Sequence, residues 1–327
     1  MNIGSDFETF IFICPHCQYQ TKLPEAFEGL MHTCENCKVK SFATATTEKI
    51  CPSCGKSVDI SAKKCQYCQQ DFIDISILLK KLESDLGIKM IEIPAGSFMM
   101  GSPESEYGRD FDEFLHHVVI KNKFWISDTM ITAAQYRKFM KYSTTTHAAK
   151  PVLVLWADAN KFIEKINCKY ADEIPVNHCF DLPSEEQWEY ACRAGTTSAL
   201  YNGKNLSGSF WGCKTDDLKE IACFEYFSLL QPVKTKKPNA WGLFDMLGNC
   251  YEWCRDLYYL YSGDTNSKSL ERLEWLKLRK EHRIICGGCR GPNPACCRSA
   301  HRSISQTEGG EHGWAGYHGF RIILEEK

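Results

Sequence analysis

Nineteen cysteines are the densest source of chemistry in this chain of 327 residues. Eight of them form four Cys-x-x-Cys pairs near the N-terminus: Cys14/Cys17, Cys34/Cys37, Cys51/Cys54 and Cys65/Cys68. Each pair offers two thiolates from one tight turn, and two such turns complete a tetrahedral four-sulfur shell for zinc. Chain order couples the first pair with the second and the third with the fourth, which predicts two structural zinc ions. Interleaved pairing would demand a more entangled fold. A redox Cys-x-x-Cys is the rival reading, but it calls for a single pair beside a βαβ pattern. Little apolar sequence surrounds the pairs, so metal binding is expected to supply most of the folding free energy there.

A second concentration of chemistry lies at the other end, where residues 286–324 read CGGCRGPNPACCRSAHRSISQTEGGEHGWAGYHGFRIIL. Gly-Gly, Cys-Arg-Ser-Ala and Gly-Phe-Arg-Ile read as fixed scaffold. The residues between them show no periodicity and no packing logic. A framework with irregular filler suits a binding face better than a catalytic constellation. Cys168, Cys179, Cys192, Cys213, Cys223 and Cys286 show no metal-type clustering and are read as buried or unligated thiols.

These residues need elements to hold them. Residues 75–86 (ISILLKKLESDL) space apolar side chains for a short connecting helix that Gly87 ends. Strands are expected at 90–93, 97–100, 117–121 and 124–126, where β-branched and apolar residues alternate. Thr132 is placed to cap a helix over 133–142, and 157–166 reads as another. Ser184 begins a third: Gln187 closes a capping box, and the helix runs to Arg193 before Gly195. Residues 268–281 form a charged amphipathic helix. Long loops among short strands and helices point to the α+β class.

A hydrophobic content of 43% suffices for a packed core, and the length allows one large domain with something small in front of it. The net charge of −2 leaves no electrostatic footprint for nucleic acid or an anionic membrane. Residues 1–75 hold seven lysines and no arginine against nine acidic residues, so the cysteine modules read as structural or protein-docking units rather than nucleic-acid readers. No apolar run is long enough to span a bilayer. The N-terminus carries no signal-peptide pattern, and a cytoplasmic location with reduced thiols is expected.

The strings IPAGSFMMGS (93–102), ITAAQYRKF (131–139), DLPSEEQWEYACRAG (181–195), PNAWGLFDMLGNCYEWCRD (238–256), GG…CRSAHR (287–302) and GFRI (319–322) occur in that order. In them the chain resembles the formylglycine-generating-enzyme/sulfatase-modifying-factor superfamily, whose fold is a variant of the C-type lectin fold. The expected organisation is a zinc ribbon over 1–45, a second over 46–74, a linker helix over 75–88, and the lectin-like domain over 89–327 with its ligand-binding region at 286–323.

The resemblance implies three possible activities. Formylglycine-generating enzymes bind copper through two cysteines placed five residues apart after a Gly-Gly turn. Those positions fall here on Pro292 and Cys297, so the pair is broken; Cys289 and Cys296 are displaced from it. Sulfoxide synthases of the ergothioneine type carry an iron site on an added helical domain that this chain lacks. The third class binds ligands without catalysis and includes the variable proteins of diversity-generating retroelements, whose last segment is rewritten at adenines of Asn codons. Cys289, Arg290, Gly291, Pro292, Asn293, Cys296, His301, Ser303, Ile304, Ser305, Tyr317 and His318 are reachable in that way, whereas Gln306, Glu308, Glu311 and Trp314 are not.

The expected function is therefore binding of a protein or other macromolecule through Arg290, Gly291, Asn293, Cys296, His301, Ser303, Ser305, Trp314, Tyr317 and His318. Trp314 reads equally as a half-buried loop anchor. The alternative is a thiol oxidase with rearranged cysteines acting through Cys297. The resemblance also implies a calcium site, with side-chain oxygens of Asp245 and Glu252 and main-chain carbonyls of Gly248 and Cys250. The alternative there is a Glu252 hydrogen-bonded to turn amides.

Overall fold

In a computed structural model the chain divides into two compact units, Met1–Ile75 with Pro175–Asn177, and Ser76–Ile174 with His178–Lys327. The structure describes residues 9–13, 20–24, 31–33, 40–42, 48–50, 55–59, 62, 64–68, 74–141, 147–209, 212–224, 229–261, 264–277, 282–289, 293–307 and 318–327, with backbone alone before residue 51 and at 209, 212 and 275–277.

The first unit contains three antiparallel hairpins: β1 (Thr9–Ile13) with β2 (Gln20–Pro24), β3 (Met31–Thr33) with β4 (Lys40–Phe42), and β5 (Glu48–Ile50) with β6 (Ser57–Asp59). In sequence, the first three Cys-x-x-Cys pairs fall between the two strands of successive hairpins. Cys14, Cys17, Cys34, Cys37, Cys51 and Cys54 themselves lie outside the described residues. Of the fourth pair, Cys65 is buried and Cys68 exposed.

The second unit is introduced by α1 (Ile75–Leu86), which buries Leu78, Leu82 and Leu86 at a spacing of four. Gly87 stops it at φ +71°, its N–H donating to the Glu83 carbonyl at 2.8 Å, a left-handed cap in which a side chain is strained. The strands β7 (Met90–Ile93), β8 (Gly96–Met100), β9 (His116–Ile120) and β10 (Phe124–Ser127) follow where alternation predicts them, shifted by one residue at most.

The helix expected over 133–142 is shorter. It spans α2 (Ala133–Tyr136), with the Thr132/Gln135 capping box formed. Beyond it Lys138 and Phe139 bond to carbonyls three residues back, so the chain tightens into turns. Next come α3 (Trp156–Lys169), β11 (His178–Asp181) and α4 (Glu185–Arg193), the last with the expected Ser184/Gln187 capping box. Eight of its nine residues are buried, so α4 is the central rod of the domain.

Shorter elements complete the chain: β12 (Ser207–Ser209), β13 (Gly212–Lys214), α5 (Asp216–Lys219), β14 (Ala222–Cys223), β15 (Leu247–Gly248), β16 (Glu252–Leu257), α6 (Ser267–Lys277), β17 (His282–Cys286), β18 (Arg302–Gln306) and β19 (Ile323–Glu326). Two sheets matter for the site. One is antiparallel with order β11-β19-β10-β7, so the final strand is inserted between two early ones. The other is the antiparallel ribbon β16-β17-β18, which carries the C-terminal loops. The core between them and α4 includes Trp188, Ile126, Leu247, Cys254 and Ile284. Among the described residues, no helix is long and apolar enough to cross a membrane.

Candidate functional site at the C-terminal loops

Three arginines organise the C-terminal framework, and each is locked to a buried glutamate. Arg298 donates from Nη1 to Glu113 Oε2 at 2.7 Å and Glu106 Oε1 at 2.6 Å, and from Nη2 to Glu113 Oε1 at 2.6 Å. Arg302 grips both oxygens of Glu185 at 2.8 and 2.9 Å and lies 4.0 Å from the Tyr261 ring centroid. Arg321 grips Glu252 at 2.6 and 2.8 Å and also donates to the carbonyls of Ser127 and Phe244. All three are among the most deeply buried large side chains. Bidentate guanidinium–carboxylate pairs satisfy both charges, and removal of one partner strands the other.

The loop between β17 and β18 is therefore pinned on its C-terminal side, by Arg298 within it and by Arg302 where β18 begins. Gly288, at φ +70°, lets the chain pass the following turn; a Cβ there would stand 2.5 Å from the Cys296 carbonyl oxygen. Asn293 accepts the Ala295 N–H at 3.1 Å and caps a 3-10 turn over Pro294–Cys296. The Cys297 N–H then returns to the Pro294 carbonyl at 3.0 Å. The turn points Cys297 inward, fully buried, its thiol directed to the Cys289 carbonyl at 3.7 Å, and burial raises that thiol well above its usual range. Cys296 faces the other way and is half-buried.

Around Cys296 the fold assembles groups that lie far apart in sequence. His301 and Tyr251 lie beside its sulfur. The Tyr251 hydroxyl is 3.3 Å from His301 Nε2, and His301 Nδ1 is 3.7 Å from Glu113 Oε1. Burial pushes Glu113 upward, but Arg298, His301 and Ser102 outweigh it and bring the carboxyl down to about 2. Burial works against a charged His301, yet Cys296 and Glu113 raise it to about 9. For Cys296, burial is outweighed by His301 and Tyr251, and the thiol is lowered from its usual value. His318 packs edge-on against Tyr251 and Trp253, and burial lowers it to about 4.

Of the residues expected to bind ligand, Arg290, Gly291, Trp314 and Tyr317 lie outside the described residues. Asn293 is exposed, Cys296, His301, Ser303 and His318 are half-buried, and His301 and His318 meet around Tyr251. Ser305 is 8% exposed and paired in register with Arg283, so it belongs to the β17–β18 ladder and not to an open face. Glu113 was not legible as a site residue, because it sits in no motif, and Tyr251 lay inside the 238–256 string without a role assigned to it.

Neither transition-metal nor calcium chemistry of the family fits the residues present. The copper positions are a proline, Pro292, which has no thiolate to offer, and Cys297, which is fully buried and so stands alone as a sulfur ligand there. At the calcium positions Glu252 spends its oxygens on Arg321 and on the Trp188 indole N–H at 3.0 Å, while Asp245 accepts the Lys234 N–H at 2.7 Å. A cation drawing on Gly248, Cys250 and these carboxylates would have to displace the guanidinium. Glu252 is thus an ion-pair partner rather than one held by turn amides. For zinc, the thiolate donor set suits the ion.

Residues 78–326 match the sulfatase-modifying factor enzyme 1-like domain, and the chain belongs to this FGE-sulfatase family. Two solved structures share the fold. PvdO from Pseudomonas aeruginosa is 26% identical with a TM-score of 0.56, and Treponema denticola variable protein 1 is 20% identical with a TM-score of 0.53; each comparison covers 72% of this chain and 94% of the other. Among curated relatives, the mouse protein named inactive C-alpha-formylglycine-generating enzyme 2 is 27% identical over 222 residues, 52% of this chain and 69% of that one. The serine/threonine-protein kinase pkn1 of Chlamydia pneumoniae is 25% identical over 244 residues, 65% of this chain but only 35% of the kinase.

Proposed function

We propose that the domain is a recognition scaffold that binds a protein or other macromolecular ligand through its C-terminal loops, without the copper-dependent thiol oxidation of the family's enzymes. The observation that carries this reading is the fate of the copper pair: one position is Pro292, and the other, Cys297, is sealed in the core. The three buried arginine–glutamate pairs support it further. They anchor the chain at residues 298, 302 and 321 independently of the loop side chains around them, which lets those side chains vary without unfolding the core. The likeness in fold to a variable protein and the resemblance to an enzyme named inactive agree with it.

We extend the reading to diversification of residues 286–323 by a retroelement, to two zinc ions held by the N-terminal cysteine pairs, and to a cytoplasmic protein tethered through those ribbons to a protein partner. The neighbouring DNA tests the first of these. A reverse transcriptase gene and a near-copy of the 287–322 codons differing at adenines are expected; absence of both overturns diversification. The thiol-oxidase reading has one observation in its favour, the grouping of Cys289, Cys296 and Cys297 beside Tyr251.

A further inference from the structure

We propose that Cys254 and Cys286, two core thiols on neighbouring strands, are a site of oxidative modification: a peroxide joins them as a disulfide that staples β16 to β17 beneath the C-terminal loops. The bond does not depend on which macromolecule those loops bind.

The two sulfurs stand 3.8 Å apart, with the Cys254 thiol directed at Cys286. Strand register explains the meeting. Glu252 lies opposite Cys286 in the β16–β17 ladder, and Cys254 is two residues further along β16, so both thiols project from the same face of the ribbon. That face is the core: Cys254 is 0% exposed and Cys286 3%. A disulfide needs its sulfurs at about 2.0 Å, and a diagonal pair on an unbroken ladder stands near the limit of reach. Here the ladder is broken. Its register shifts between Trp253 and Leu257, and the Arg255 N–H donates to the Pro183 carbonyl at 3.0 Å rather than across to β17. The Cys254 carbonyl accepts the Trp156 indole N–H at 3.1 Å, a side-chain contact that can follow a small shift. The bulge thus gives Cys254 the slack to close on Cys286.

Hydrogen peroxide is an oxidant small enough to reach a core pair through local opening. Burial raises both thiols above their usual range, so the closed pair stays protonated and oxidation waits for that opening. One thiolate then attacks a peroxide oxygen, the O–O bond breaks, hydroxide leaves and a sulfenic acid remains. The second sulfur attacks the sulfenic sulfur: the S–S bond forms, the S–O bond breaks, and water departs with the second thiol's proton. Two thiols and one peroxide give one disulfide and two waters. The link joins positions 32 apart and encloses α6. It also ties the strand of Glu252, which holds Arg321, to the residue just before Gly287 and Gly288, so oxidation stiffens the base of the C-terminal loop.

The test incubates the full chain, as purified, with hydrogen peroxide, blocks the remaining thiols in denaturant and maps disulfides by mass spectrometry of unreduced peptides. A peptide pair joined through Cys254 and Cys286 is expected. With it should come a rise of about 5–10 °C in the Tm of the main unfolding transition, the shift that closing a loop of this length brings to a domain of this size. Cys254→Ala should lose both the joined peptides and the rise; its Tm with and without peroxide is the comparison, so a lower starting stability does not matter. The wild-type map stands without any variant. No joined pair once exposed Cys168 is fully oxidised, or a pair that forms only when peroxide meets the unfolded chain, overturns the proposal. Complete joining with an unchanged Tm overturns the staple.

Discussion

Arg298, Arg302 and Arg321 account for the letters of the C-terminal motif, since each is an arginine only because a glutamate waits for it in the core. Glu113→Gln should therefore cost about 3–5 kcal/mol in denaturant unfolding, the usual loss when one member of a buried pair is left charged. The pH dependence has two signs. Glu113 is lowered to about 2, so its contribution is present above about pH 4.5, the ordinary carboxylate value, and is lost as pH falls toward 2. His301 is raised to about 9, so its contribution is full below about pH 6.5 and is lost as pH rises through 9. Thermal melts across pH 2–10 should show both flanks, and His301→Gln should remove the alkaline one. In sequence the arginines stood out as framework, but their partners did not. Glu113 lies 185 positions from Arg298 and inside no motif, so only the fold brings them together.

At the level of elements, local chemistry carried most of the information. The capping boxes at Thr132/Gln135 and Ser184/Gln187 are satisfied within four residues, which is why both helix starts were legible. The end of the helix after Thr132 was not, because nothing in residues 137–142 forbids helix; it is three-residue bonding after Tyr136 that shortens it. Ser184→Ala should cost about 1 kcal/mol by removing the cap that accepts the Gln187 N–H. Gly288→Ala should cost more, because the added Cβ meets the Cys296 carbonyl at 2.5 Å on a backbone at φ +70°. Differential scanning calorimetry ranks the two: a larger fall in Tm for Gly288→Ala fits the pinned loop, and the reverse order does not.

On the scale of the whole molecule, six ordered motifs made the family readable and the family made the fold readable, since a 78–326 match spans nearly the entire second unit. The zinc proposal for the N-terminal cysteines rests on their spacing alone. Elemental analysis should find two zinc ions per chain, and a chelator should abolish the circular dichroism of an isolated 1–74 fragment while the main unfolding transition of the intact protein persists. The function was less readable, because one fold carries both oxidation and recognition and a handful of loop residues decide between them. Oxygen uptake by the copper(I)-supplied protein with a cysteine-containing peptide decides most directly. The account predicts no uptake above the enzyme-free rate; uptake that disappears in Cys297→Ser, with the fold intact, would contradict it.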